Sequence, residues 1–155
     1  MKYVDLDATV NGQSGVISPT AYLAELPNLD LPTEAHAFAT DPNHYDFYSQ
    51  RCVKDLQLEA TRFNDEALDL HFRHNCWKHE EDLHIAYRGV SSLILATDPE
   101  ESWLGNTVVL DEILPHPLGC SHEIGFRTGT LTIICRDLTA TWVPANCPDQ
   151  PTSRS

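Results

Sequence analysis

The sequence predicts a mainly β chain: antiparallel strands forming a sandwich, a curled sheet or a barrel, with one or two short helices ahead of them. Three observations carry this. From Tyr45 onward apolar residues recur with a period of two, which is the side-chain repeat of a strand and not of a helix. Turn signals such as Asn64-Asp65, Gly89 and Arg127-Thr128-Gly129-Thr130 break the pattern at short intervals. No long helical pattern alternates with the strands, which argues against a parallel doubly wound sheet.

The elements follow in order. Lys2 to Val10 alternates loosely and reads as a strand, closed by the turn residues Asn11-Gly12-Gln13-Ser14-Gly15. Ser18-Pro19 reads as a helix start, with Ser as N-cap and Pro at the first helical position. Ala21 to Leu26 continues that helix and Pro27 stops it. A second short helix spans Thr33 to Thr40, ended by Asp41-Pro42. Cys52, Lys54, Leu56, Leu58 and Ala60 then oppose Val53, Asp55, Gln57 and Glu59 on a strand. Leu68, Leu70, Phe72, His74 and Cys76 share one face of the next. Leu83, Ile85 and Tyr87 share another. Ser91–Thr97, Val108–Leu114, His122–Phe126 and Leu131–Val143 complete the series. Residues 1–143 thus form one β-rich domain, with 1–43 as a lead-in, and 144–155 are a Pro-rich mobile tail.

Composition narrows the function. A domain of this length buries roughly 68–70% of its unfolded surface, enough for a core without staples. No apolar run approaches the ~20 residues of a membrane span. Asp5 and Asp7 interrupt any signal-peptide stretch, so a cytoplasmic location is expected. Five cysteines, an odd number without a tight framework, read as free thiols or metal ligands in a reducing compartment. Cys147 sits in the tail. The formal net charge of −13 argues against nucleic acid and against an anionic membrane surface, both of which need clustered Lys and Arg. It suits a basic protein partner, or solubility alone. There is no GxGxxG, no phosphate loop and no HExxH.

The chemically specific feature is a pair of mirrored triplets, His74-Asn75-Cys76 and Cys120-Ser121-His122. On a strand, residues two apart share a face about 7 Å apart. Six of the eight histidines lie between residues 71 and 84 or 116 and 122. Three readings follow. His74, Cys76, Cys120 and His122 supply a Cys₂His₂ zinc set by residue type, with His79 or His116 as substitutes, although the usual Cys-x₂-Cys spacing is missing. Alternatively they are core, because His74 and Cys76 continue an apolar stripe and buried Cys packs as a small hydrophobe. In the third reading Cys76 or Cys120 is a nucleophile, His74, His79 or His122 its base, and Glu80 or Glu123 the carboxylate that orients the imidazole. Glu80-Glu81-Asp82 is also an acid–base candidate, although such a run at a hairpin end is ordinarily a solvated turn.

Three weaker ligand-binding candidates complete the survey. In Asp111-Glu112 at least one acid of an apolar strand is expected to face a concave surface or solvent. Arg136 interrupts an apolar strand, where it can bind a carboxylate, pair with Asp137 or Asp111, or mark a bulge. Trp77, like Trp103 and Trp142, reads as a core or rim anchor.

Residues His44-Tyr45-Asp46, Tyr87-Arg88-Gly89-Val90 and Gly129 to Ile133 give the stretch 44–143 a pattern of strands and turns. In this it resembles small all-β bacterial proteins of uncharacterised or toxin-immunity type. The resemblance implies a non-catalytic binding protein whose acidity suits a basic partner. The expected function is that of a cytosolic acidic protein that binds a protein partner or a small-molecule ligand. The alternative is a small-molecule hydrolase, lyase or cyclase that uses a zinc ion or a Cys/His pair. A cavity beside the His/Cys cluster favours the enzyme, and dry packing favours the binding protein.

Overall fold

The computed structural model describes residues 1–97, 100 and 102–145; Cys147 and most of the tail lie outside them. Strands β1 (Asp5–Val10) and β2 (Gln13–Ser18) pair as a hairpin, followed by helices α1 (Thr20–Glu25) and α2 (Thr33–Ala39). Eight more strands follow: β3 (Gln57–Asn64), β4 (Ala67–Arg73), β5 (Glu81–Arg88), β6 (Ser92–Ala96), β7 (Val108–His116), β8 (Gly119–Phe126), β9 (Gly129–Cys135) and β10 (Asp137–Pro144). They form two four-stranded sheets, ordered β10-β5-β4-β3 and β6-β9-β8-β7. Every pairing is antiparallel. The sheets face each other as a sandwich and do not close into a barrel. Leu68, Leu70, Phe72, Leu83, Ile85 and Tyr87 of one meet Ile124, Leu131, Ile133 and Cys135 of the other in a single core.

The alternating stretches become strands because their apolar residues all land on the face between the sheets. Four expectations shift. The expected lead-in strand is a full hairpin, since β2 follows the Asn11-Gly12 turn. Helix α1 begins one residue later than expected, with Pro19 at the N-cap position. Residues 45–56 hold no strand: Asp41, Asp46 and Ser49 side chains accept the backbone N–H groups of Asn43, Tyr48 and Arg51, which favours consecutive turns over a ladder. The expected strand Leu131–Val143 is two strands in different sheets, bent at Arg136, whose N–H bonds the carbonyls of Arg88 and Gly89.

That corner matters beyond its own strand. Asp137, the first residue after it, accepts the N–H groups of Ala35 at 2.9 Å and Glu34 at 3.3 Å. It thereby satisfies donors at the start of α2, which packs against β10. Gly119 opens β8 where the hairpin turns: at φ +136° an added Cβ would lie 2.3 Å from the carbonyl oxygen of Cys135.

Asp111 and Glu112 are both buried, contrary to the expectation that one would face a concave surface or solvent. They point to opposite faces of β7. Glu112 points outward, but the N-terminal segment covers it, and its carboxylate accepts the N–H groups of Lys2, Tyr3 and Val4 at 2.8, 2.6 and 2.7 Å. These donors offset its placement directly opposite Glu123 on β8. Asp111 points inward between two imidazoles. His44 Nε2 donates to one carboxylate oxygen and His122 Nε2 to the other, each at 2.6 Å. His44 Nδ1 donates to the carbonyl of Phe38 at 2.9 Å. With a carbonyl on one side and a carboxylate on the other, both His44 ring nitrogens are engaged. His122 Nδ1 receives the Tyr87 hydroxyl at 2.7 Å, which bridges the two sheets. Burial by itself would push the Asp111 carboxyl up. The His44 charge and the hydrogen bonds from both rings outweigh it and hold the carboxyl well below the usual carboxylate range.

Asp111→Asn is expected to cost roughly 3–5 kcal/mol, because it removes the buried carboxylate to which both imidazoles bond. Tyr87→Phe is expected to cost about 1–3 kcal/mol, because it strands the acceptor on His122. Urea unfolding at pH 7 measures both. A loss below about 1 kcal/mol for Asp111→Asn would show that the chain does not depend on this network.

Candidate functional site

Strand β4 stops at Arg73, and the chain then leaves the sheet. His74 and Cys76 do share the buried side with Leu68, Leu70 and Phe72, but they stand on a turn and not on the strand expected to carry them. Single-turn hydrogen bonds from the N–H groups of Lys78 and His79 to the carbonyl of Asn75 hold that turn. Cys76 is buried yet belongs to no part of the apolar core, whereas Cys120 and Cys135 do. Its polar neighbour is His74, whose Nε2 lies 3.1 Å from Cys76 Sγ.

The carboxylate that orients this imidazole is Asp82, in place of the expected Glu80 or Glu123. Pairing of Phe72 with Leu83 is the last rung between β4 and β5, so Asp82 sits beside the chain where it departs. Its Oδ1 accepts the backbone N–H of His74 at 2.9 Å and the ring Nδ1–H at 2.6 Å. An ionised carboxylate only accepts, so Nδ1 carries the ring proton and Nε2 is left to take one from the thiol. Thiol, imidazole and carboxylate thus stand in the order nucleophile, base, orienter.

His79 is not a ligand or base. Its Nδ1 accepts the N–H of Asn75 at 3.0 Å, and its Nε2 donates to the carbonyl of Cys52 at 2.7 Å. It is fully buried and stacks near Trp142 at 6.1 Å. Both nitrogens are spent tying the Cys76 turn to the loop before β3. Among the described residues the N–H groups of His74, Asn75, Trp77, Lys78 and His79 all have partners, while that of Cys76 has none. Asn75 and Cys76 both line the same pocket.

Cys76 and His74 line a pocket of about 410 Å³, with Asp55, Gln57, Arg73, Asn75, Trp77, Thr107 and Arg127 as its other walls. Trp77 stands at its rim, 75% exposed. Asp55 lines it at φ +76°, a left-handed conformation that an Asp side chain tolerates better than most.

The second triplet lies elsewhere. Its strand β8 pairs with β7 and β9, whereas β4 pairs with β3 and β5, so the two triplets never become neighbours in one sheet. Cys120 faces Cys135 across the ladder with sulfurs 3.7 Å apart, and both are fully buried. The contact with Cys135 and then burial push the Cys120 thiol above its ordinary value, and the sulfur is sealed from solvent. His122 is committed to Asp111 and Tyr87. His116 lies at the end of β7, and its Nδ1 accepts the N–H of Leu118 in the turn to β8. No group of three or more His, Cys, Asp and Glu residues among the described residues is arranged to hold a metal ion, so the four-residue zinc set is not assembled. Of the weaker candidates, Arg136 is exposed at the bend between sheets and Asp111 is sealed inside. Only Trp77 reaches the pocket.

Sequence reasoning named Cys76 and His74 but missed the rest of the constellation. Asp82 belonged to an acidic run that reads as solvated. Arg73 and Arg127 come from strand and turn positions 54 residues apart, and no local signal joins them. No protein-family model, curated protein or solved structure matches the chain. No helix among the described residues is long and apolar enough to cross a membrane.

Burial pushes the His79 imidazole below its ordinary value, against the raising effect of its bond to Cys52. The unfolded chain therefore binds this proton more readily than the folded one. The stability contributed is fully present above the unfolded value of about 6.5 and is lost as pH falls below it. His84 shifts the same way by burial and by the facing His71, so it adds to the slope. Urea midpoints are expected to fall between about pH 7 and pH 5, and more steeply in the wild type than in His79→Gln. Parallel slopes would show that His79 is not held neutral.

Proposed function

We propose that the protein is a cysteine-dependent acyl-transfer enzyme, a hydrolase or transferase of a small molecule, with Cys76 as nucleophile. The observation that carries this reading is the order Cys76–His74–Asp82, at 3.1 and 2.6 Å, with Cys76 and His74 on the wall of a pocket. Dry packing was the criterion for a binding protein, and it holds for Cys120 and His122. Cys76 and His74 are buried too, but they line the pocket.

The steps follow from the donors. Cys76 Sγ attacks the acyl carbon and its proton passes to His74 Nε2, while Asp82 keeps the ring oriented and steadies the imidazolium. The oxygen of the tetrahedral intermediate takes the Cys76 N–H. As that intermediate collapses, His74 returns the proton to the leaving group and a thioester remains on Cys76. Water or a second nucleophile then gives its proton to His74, attacks the thioester and releases the thiol.

A second reading, an acidic protein that binds a basic partner, is favoured by the net charge of −13. It makes no use of the triad, and this separates the two.

Incubation with 4-nitrophenyl acetate is expected to release a burst of 4-nitrophenolate and to leave an acetyl group on Cys76, seen by peptide mass spectrometry. Cys76→Ala abolishes both, and His74→Gln slows acylation by roughly 10²–10⁴-fold. An unmodified Cys76, or acylation as fast in His74→Gln as in the wild type, refutes the enzyme and leaves the acidic binding protein.

A further inference from the structure

The cations of this chain are unevenly placed. It has 10 Lys and Arg against 23 Asp and Glu, yet four of those cations gather around the Cys76 pocket. Arg73 and Arg127 line it directly. Lys54 and Lys78 both reach Asp55, the one acid that lines it, at 3.1 and 3.6 Å. That carboxylate is therefore already shared between two ammonium groups. The Asp82 carboxylate is engaged by His74. Arg127 extends from the turn between β8 and β9, and among the described residues it makes no ion pair. In a protein of strongly negative charge, a guanidinium without an ion pair on a concave wall, beside an acid already shared by two ammonium groups, attracts anions.

We infer that the substrate of the Cys76 site is a small acyl compound bearing a carboxylate, which the Arg127 guanidinium holds beside the thiol. The inference rests on the proposed acyl-transfer reading and deepens it. A guanidinium takes a carboxylate through two parallel hydrogen bonds, which orients as well as attracts. The pocket volume of about 410 Å³ suits a small molecule. Trp77 at the rim offers an apolar face for the carbon skeleton. The polar walls, Gln57 and Thr107 among them, argue against a long aliphatic acyl chain.

Two alkylating reagents of nearly equal size test this on the intact chain without a known substrate. Iodoacetate carries the carboxylate and iodoacetamide does not. Both transfer their carbon to a thiolate with loss of iodide. Modification of Cys76 is followed by peptide mass spectrometry, with the urea-unfolded chain as reference. The expected result is an iodoacetate-to-iodoacetamide rate ratio at Cys76 about tenfold or more above that of the unfolded chain, and a fall toward the unfolded ratio in Arg127→Gln. Added salt or free acetate is expected to lower the ratio in the same direction. A ratio equal to the unfolded one, or one that Arg127→Gln leaves unchanged, overturns the carboxylate assignment. If Cys76 still reacts with iodoacetamide faster than in the unfolded chain, the nucleophile stands and only the substrate class falls. If neither reagent modifies Cys76 faster than in the unfolded chain, both readings fall together.

Discussion

The Asp111 carboxylate, buried between two imidazoles, is the interaction on which the architecture depends. It sits on β7, yet its partners come from three other places. His44 belongs to the loop after α2, His122 to β8, and through His122 the Tyr87 hydroxyl reaches in from β5 of the facing sheet. One ionised group therefore ties the helical lead-in and both sheets of the sandwich. Such a group is tolerated inside a core only when every donor and acceptor around it is matched. That condition is met: no buried side-chain nitrogen or oxygen among the described residues lacks a partner. Its directional bonds also tie the loop before β3 to the sandwich at a defined point, which apolar packing alone would leave less determined.

The same loop carries that order to the pocket. Past His44 it runs through Cys52, whose carbonyl accepts His79 Nε2–H, and His79 in turn holds the turn that presents Cys76. Asp55, further along, bonds by its N–H to the carbonyl of Val108 on β7 and gathers Lys54 and Lys78. A nucleophilic constellation needs this kind of support, because a thiol and an imidazole are useful only if their separation is maintained. Here the orienting carboxylate comes from a strand, β5, and the turn is pinned by a buried histidine. Neither of the two depends on solvent-exposed ion pairs, which contribute little.

The two triplets illustrate how similar local sequence takes different roles. Cys120 and His122 are on a central strand, so both point between the sheets, where burial raises the thiol and the imidazole is absorbed by the Asp111 network. His74 and Cys76 follow the end of β4, where the ladder no longer constrains the backbone and one side meets solvent. The difference lies in strand length, three residues more or less, which local propensity does not specify. Chemical potential in this chain is therefore a matter of where the sheet stops.

Much of the fold was legible. Period-two patterning identified the strands from β3 onward, with β9 and β10 read as one, because burial on one face imposes that repeat directly on the residue order, while turn, cap and proline signals located the Arg127 to Thr130 turn and the two helices. The inward set of β4 and β5 and the pair His74 and Cys76 could be read for the same reason. The bend at Arg136, the hairpin partner β2 and the turns of residues 45–56 were not, because they depend on side chains satisfying backbone groups locally or on which sheet a strand joins. Asp82, Arg73, Arg127 and the His44–Asp111 contact lay further out of reach. Each is created by pairing between segments distant in sequence, and hydrophobic periodicity carries no information about that pairing beyond which face is buried. The sequence by itself determined the class of fold, the buried faces and a candidate thiol–imidazole pair. Only the tertiary structure decided that one pair is core and the other lines a pocket, since register and sheet order choose each side chain's neighbours.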